Sequence, residues 1–350
     1  MKPAPIRIEP IFTPRIWGAR SLAPLFPEKS NLAEPIGEAW LTGVDCQIGS
    51  DPFRGKSLGD AWREMPAEWR GSIFAGGGDF PLLLKFIFPR DKLSIQVHPD
   101  DAYASVHEAA GGGRGKTEMW HVVSAEPGAQ VLVALKPGVD KPQFLGALEN
   151  ATIESLFRSC PVEAGDTIFL PAGTPHSIGP GMLVCEVQEY SDLTYRVYDY
   201  GRVDGGGRPR ELHLEKALAV MEFGQTRGGK VEPVALPTER ANKSLLAACR
   251  YFATERWDFL ATVQSHSVPS RFELFVILSG TGCIHSQGPI VSYRPGECWF
   301  VPATLGEFSL QPEQTSAVIR TFIPDLMDLR AELQQMGLNQ RQLERVIFPD

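Results

Sequence analysis

The chain has 350 residues, 43% of them apolar and 22% charged, a length and balance that allow two packed domains with full cores. Asp and Glu number 42 against 34 Lys and Arg, giving a net charge of −8; this excludes a global field that draws the protein to nucleic acid or anionic membranes. An anionic substrate therefore needs a local basic pocket. The opening MKPAPIRIEPIF lacks the apolar stretch of a secretory signal, and no apolar run approaches the roughly 20 residues that span a bilayer, so a cytoplasmic protein without membrane attachment is expected. Cys46, Cys160, Cys185, Cys249, Cys283 and Cys298 are widely spaced, with no CxxC pair, and are expected as free thiols.

Along the chain, short runs rich in Val, Ile, Leu and Phe alternate with glycine and proline, the pattern of β-sandwiches. Strands are predicted over Leu82–Phe88, Leu93–Val97, Met119–Val123 and Gln130–Leu135, followed by short helices over Asp140–Leu148 and Thr152–Phe157. Two more strands follow at Thr167–Leu170 and Leu183–Gln188, then a helix over Glu211–Met221 with Leu212, Leu218 and Met221 on one stripe. The polar stretch 224–242 is the best boundary, beyond which strands are predicted over Phe272–Leu278 and Glu297–Val301. A helix over Leu326–Met336 is expected to stop at Gly337, and Asn339 to cap another running to about Val346.

PVEAGDTIFLPAGTPHSI in the first half has an echo in SYRPGECWFVPATLGEFS in the second. Aligning Gly165 with Gly296 sets Pro171 opposite Pro302 and His176 opposite Glu307, so the second copy keeps the frame and loses the imidazole. The expected fold is mainly β, a double cupin of jelly-roll sandwiches with a few peripheral helices and a C-terminal helical tail. Residues 1–235 are expected to form the catalytic cupin domain with its helical elements, 236–324 a degenerate metal-free cupin, and 325–350 the tail.

In LSIQVHPDD, strand alternation sends Ser94, Gln96 and His98 to one face, and Pro99 ends the strand at the mouth of a barrel. Glu118, in GKTEMWHVV, shares a face with Lys116; the turn GDTIFLPAGTPHSIG presents His176. Gln96, His98, Glu118 and His176 together make a nitrogen and oxygen set suited to a borderline divalent cation, zinc above others, one per chain. With no thiolate among them, the site is expected to keep an open position, as catalytic sites do. His107, His121, His266 and His285 are not expected as ligands, and His213 is explained as well by packing or capping as by function.

Through LSIQVHPDD, GKTEMWHV, LPAGTPHSIG, EVQEYSDLTYRVYDYGR and RELHLEKAL, with the earlier IWGAR and GEAW, the sequence resembles the type I phosphomannose isomerase family over Ile6 to Pro324, in its short bacterial form. The resemblance implies a double cupin whose zinc ligands are Gln96, His98, Glu118 and His176, with Arg196 and Lys116 in the active site. It also implies interconversion of mannose 6-phosphate and fructose 6-phosphate. Longer relatives commonly have His-Lys-Pro-Glu where this chain has Gly115-Lys116-Thr117-Glu118, so a histidine sometimes assigned to proton transfer is absent.

Moving a carbonyl between C1 and C2 needs ring opening, removal of a proton alpha to the carbonyl, and stabilisation of an enediolate. Lys116, Glu186, Asp192 and water on the metal are the candidates for proton transfer, with Lys116 expected to be drawn toward neutral pKa by a nearby cation. Asp192 is alternatively expected to orient Arg196, and Glu186 to support the metal ligands. Arg196 offers a planar fork to phosphate or enediolate, with Ser94, Lys85 and Arg202 as further substrate contacts. The expected partner is a small-molecule sugar phosphate, the expected assembly a monomer or homodimer. Two other functions fit the same residues: a cupin isomerase of glucose 6-phosphate type, and a carbohydrate-binding cupin without catalysis.

Overall fold

The structure, a computed structural model, describes residues 2–203, 205–224, 227–238 and 240–349. Among these the strands form four sheets, stacked in pairs as two jelly rolls. The first roll joins a seven-stranded sheet, which includes Leu82–Ile87, Glu118–Ala125, Thr167–Leu170 and Met182–Glu189, to a five-stranded one built on Ile95–Val97, His176–Ile178 and Tyr195–Tyr198. The second joins a seven-stranded sheet, with Ala253–Phe259, Glu273–Ser279, Cys298–Val301 and Ser316–Phe322, to four strands that include Val263–His266 and Glu307–Pro312. The mainly β, double-cupin expectation holds. No helix of the described residues is long and apolar enough to cross a membrane, and the six cysteines are free.

The two larger sheets pack face to face, and this explains why their strands are buried on both sides. Leu82, Leu84 and Phe86 enter the core shared with the second roll, beside Leu274, Val276, Phe300 and Ile319. The alternate residues of the same strand turn into the first roll, so Lys85 is a charge facing an interior cleft within an otherwise apolar run. Met182–Glu189 follows the same rule. Cys185 and Val187 join the shared core, while Glu186, on the other face, lines the cleft.

Two edges of this arrangement cross the predicted boundary at 235. Ile6–Ile8 pairs with Cys298–Phe300, and Val234–Leu236 pairs with Lys243–Leu245, so both lie in the second roll's sheet, while Gly229–Val231 pairs with Thr167–Phe169 in the first. The tail is helical as predicted: Asp325 caps Leu326–Gln335, Gly337 takes a left-handed φ of 94°, and Asn339 makes a capping box for Gln340–Val346. Leu329, Leu333, Leu343 and Val346 enter the shared core. Phe348 stacks on Phe169 with centroids 4.1 Å apart and planes 10° apart. Two helices differ from expectation. The first, predicted from Glu211, begins at Leu214, because His213 pairs with Arg196: its N–H donates to the Arg196 carbonyl at 2.7 Å and its Nδ1 accepts from the Arg196 N–H at 3.1 Å. The segment after Thr152 is a 3-10 turn, Ile153–Leu156, that gives way to a strand at Phe157.

Candidate metal centre and cleft

His98 follows Ile95–Val97, Glu118 opens Glu118–Ala125, and His176 opens His176–Ile178; one ligand atom from each lies within 4.8 Å of the others. The Gly173 turn fastens two of these segments together. With φ of 84° its N–H points back to the His98 carbonyl at 2.8 Å, and an added Cβ would meet the Val220 carbonyl oxygen at 3.1 Å.

Both imidazoles are oriented by main-chain carbonyls. His98 Nδ1 is 2.7 Å from the Leu193 oxygen and His176 Nδ1 is 2.9 Å from the Thr174 oxygen. A carbonyl only accepts, so each Nδ1 carries the proton and each Nε2 turns a lone pair to the common point. Burial, aided by the charge of Lys116, holds His98 well below its ordinary pKa. Burial likewise pushes His176 down to about 4, against the Thr174 carbonyl, so both rings are neutral at neutral pH. His98 Nε2 and Glu118 Oε1 are buried without a hydrogen-bond partner. Gln96 directly opposes His176 in register, its amide nitrogen 3.3 Å from His176 Nε2; turning the amide over directs its oxygen to the same point. Orphaned lone pairs converging in a buried pocket, with no thiolate, fit a divalent cation.

Charged pairs surround this set. Lys116 Nζ is 2.7 Å from Glu118 Oε2 and 3.5 Å from Glu186 Oε1. Burial would lower Lys116, but the two carboxylates outweigh it and hold the ammonium above its ordinary range. A pull toward neutrality thus has no source among the chain's own groups. Burial pushes Glu186 up, opposed by Lys116 and reinforced by Glu118. Lys85 pairs with Asp192 at 2.8 Å and lies over the Trp40 ring. Asp192 therefore serves Lys85; Arg196 is oriented instead by the Glu211 carbonyl, to which it donates at 2.8 Å.

Ser94, Gln96, Lys85, Lys116, Glu186, Asp192 and Arg196 all line one cleft of about 400 Å³. Arg202 does not. It is held by Asp199 at 2.6 Å and by the Lys92 carbonyl, outside the lining. His121 turns away from the ligands, as expected, and its Nε2 receives a 3.0 Å hydrogen bond from Arg256 of the second roll. The cleft also has residues not selected from sequence: Arg15 and Glu38, an ion pair at 3.0 Å, and Arg210. Arg210 begins the RELHLEKAL run and Glu38 lies in GEAW, so the signal was there, though their partners depend on tertiary contacts. A cavity of about 860 Å³ between Phe169, Tyr251 and Phe348 contains none of the candidate ligands.

In the second roll, Arg320 occupies the register position of Glu186, and Glu255 that of Lys85: Arg320 opposes Phe275 and Glu255, as Glu186 opposes Trp120 and Lys85. The Arg320 guanidinium binds Glu255 at 3.0 Å and also Glu273, which begins its strand as Glu118 does. Among the described residues no second cluster of metal-ligating groups is found.

Comparison with known proteins agrees with this geometry. Residues 6–114 match the model of the phosphomannose isomerase type I catalytic domain, and 242–321 that of the mannose-6-phosphate isomerase cupin domain. A probable mannose-6-phosphate isomerase of Bacillus subtilis strain 168, GmuF, is 31% identical over 88% of this chain and 96% of its own length. ManA, a mannose-6-phosphate isomerase of the same organism, is 31% identical over 89% and 97%. The crystal structure of the mannose 6-phosphate isomerase from Bacillus subtilis superposes with a TM-score of 0.82 at 29% identity, covering 91% of this chain and 99% of that one.

Proposed function

Because this chain belongs to the type I phosphomannose isomerase family, we propose that it is a zinc-dependent aldose-ketose isomerase that interconverts mannose 6-phosphate and fructose 6-phosphate through an enediol. The observation that carries the metal dependence is the convergence of His98 Nε2, Glu118 and His176 Nε2 in a buried pocket, where His98 Nε2 and Glu118 Oε1 have no hydrogen-bond partner. A divalent cation held by Gln96, His98, Glu118 and His176 supplies Lewis acidity toward the sugar's carbonyl oxygen.

The chain's own groups divide the remaining work. Glu186, a buried carboxyl pushed upward and within reach of Lys116, is suited to take the proton from C2 of the open-chain aldose and return it to C1. The Lys116 amine, beside Glu118 and Glu186, is suited to donate to the oxygen on which negative charge develops. Arg196, in register with Gln96, presents its guanidinium beside the metal ligands and acts on the substrate. Ser94 and the Lys85–Asp192 pair bind the sugar's hydroxyls along the cleft wall. Such an enzyme works on a cytosolic metabolite, in keeping with a cytoplasmic location.

The test is an isomerisation assay on protein stripped of metal and reconstituted with zinc, comparing mannose 6-phosphate, glucose 6-phosphate and unphosphorylated mannose. Turnover of mannose 6-phosphate well above the other two is expected. Preference for glucose 6-phosphate, or binding without turnover, would overturn the assignment.

A further inference from the structure

The other cations that line the cleft are each held by a carboxylate: Arg15 by Glu38, Lys85 by Asp192, Lys116 by Glu118 and Arg210 by Asp199. Arg196 makes no ion pair among the described residues, and its buried Nε has no hydrogen-bond partner. Its position therefore depends on neutral partners, which hold a guanidinium less firmly than a carboxylate does. Both come from one short segment. Nη1 donates to the Glu211 carbonyl at 2.8 Å, and the main chain of Arg196 is bonded to His213.

The bonds to His213 complete the edge of a sheet. Tyr195–Tyr198 is the outer strand of the five-stranded sheet, paired on one side only, with Ile95–Val97. A residue in an antiparallel strand directs its N–H and C=O to the same side, and both of these groups of Arg196 face outward, to His213. The His213 N–H donates to the Arg196 carbonyl at 2.7 Å. A neighbouring strand would return its own carbonyl to the Arg196 N–H, but that of His213 already accepts from the Ala217 N–H at 2.9 Å, where the helix Leu214–Val220 begins. The imidazole takes the place of that carbonyl, Nδ1 accepting from the Arg196 N–H at 3.1 Å.

Because Nδ1 accepts, the ring proton sits on Nε2, which faces the Glu211 carboxylate at 3.8 Å. This is the opposite tautomer to that of His98 and His176. Burial lowers the His213 pKa, against the Glu211 charge, and so preserves the Nδ1 lone pair at neutral pH. At this helix start, where Asn, Asp or Ser would ordinarily cap, the His213 side chain makes no capping bond. Leu214 and Leu218 pack on the core that holds Tyr195 and Val197, which anchors the segment beside the strand.

We propose that His213 is a positioning residue for the isomerisation: its Nδ1 and main-chain N–H fix the backbone of Arg196 and, with the Glu211 carbonyl, aim the guanidinium into the cleft. This rests on the isomerase reading above and extends it to a residue that does not itself line the cleft.

The experiment measures kcat and KM for mannose 6-phosphate in zinc-loaded His213→Leu, His213→Asn and His213→Gln, and in His213→Leu combined with Arg196→Ala. The tautomer of His213 is read by heteronuclear NMR of wild-type enzyme carrying isotope-labelled histidine. His213→Leu is expected to lower kcat/KM by about 5- to 50-fold, with zinc content unchanged. His213→Asn, whose amide oxygen takes the place of Nδ1, should come within about threefold of wild type, and His213→Gln, whose oxygen reaches further, should not. In the Arg196→Ala background, His213→Leu should cost less than about twofold more, because a residue acting through Arg196 has nothing left to position. Unchanged kcat/KM in His213→Leu, losses that multiply in the double variant, or rescue by Gln as good as by Asn overturns the proposal. Should the Leu variant fail to fold, the Asn and Gln pair decides it. The spectrum is expected to show the Nε2–H tautomer, and an Nδ1–H tautomer overturns the proposal whatever the kinetics. Should the wild-type chain fail to turn over mannose 6-phosphate, the substrate reading falls. The tautomer, and displacement of the Arg196 guanidinium in crystals of His213→Leu, then decide the positioning role separately.

Discussion

Arg196 and Gln96 stand directly opposite one another on adjacent antiparallel strands, and Gln96 in turn opposes His176. Directly opposed residues of a sheet project to the same side. The guanidinium is therefore fixed beside the ligand set by strand register, independently of the metal. Arg196→Ala is expected to lower kcat/KM for mannose 6-phosphate by about 30- to 1,000-fold. Arg196→Lys should recover only part of this, since an ammonium lacks the fork. Zinc content and melting temperature should stay at wild-type values; loss of zinc would make Arg196 a structural residue instead.

The neutral imidazoles and the orphaned Glu118 oxygen make metal binding part of folding stability. Chelation should abolish turnover and lower the melting temperature, and zinc should restore both more effectively than magnesium, because imidazole suits the softer ion. Equal rescue by magnesium in a thermal-shift and activity titration would count against zinc. His98→Ala should lose metal by elemental analysis while the fold persists.

Glu189 offers a pH signature of its own. Burial, with the charge of Asp101 added, pushes its carboxyl up to about 8, although its oxygen accepts a 2.7 Å bond from the Thr117 N–H. Between the ordinary carboxylate value and that raised value the folded state holds a proton that the unfolded state has lost, so stability falls as pH rises through this window. Glu189→Gln removes the penalty. The variant's melting temperature should match wild type near pH 4.5 and exceed it at pH 8, by on the order of 3 kcal/mol in stability. A constant difference across that range would show that Glu189 does not titrate there.

Arg320 lies between two buried carboxylates. Arg320→Met leaves both unpaired and should cost about 3–5 kcal/mol of stability, measured by denaturant unfolding, without changing kcat in the folded fraction. One zinc per chain is expected in wild type. Two tightly bound equivalents would contradict the metal-free second roll.

The grouping of His98, Glu118 and His176 was legible in the sequence because local rules favour it: strand alternation, a proline stop after His98 and a glycine turn before His176 each act within a few residues. Lys85 was legible for the same reason, as a charge interrupting an apolar strand. Arg15–Glu38 and Arg210–Asp199 were not, since their pairing depends on strands and loops brought together only by the closed roll. The partner of Asp192 was hidden likewise, being Lys85 on a strand 107 residues away. The helix Leu58–Glu64, which buries Trp62 in the shared core, is too short to give a clear period and passed unnoticed. The repeat predicted the frame of the second roll and its missing imidazole. That an arginine stands at the position of Glu186 emerges only from the register of both sheets.

The pairing of Ile6–Ile8 with Cys298–Phe300 bears on how the chain is made. During synthesis these first residues leave the ribosome long before their partner strand exists, by on the order of 15–60 s at about 5–20 residues per second. The first roll must form with Ile6–Ile8 unattached. Closure of the molecule is thus a late event, after most of the chain has emerged, and a fragment ending near residue 235 would display an unpaired apolar strand together with the bare face of the larger sheet. Such a fragment is expected to aggregate rather than to fold as a separate domain.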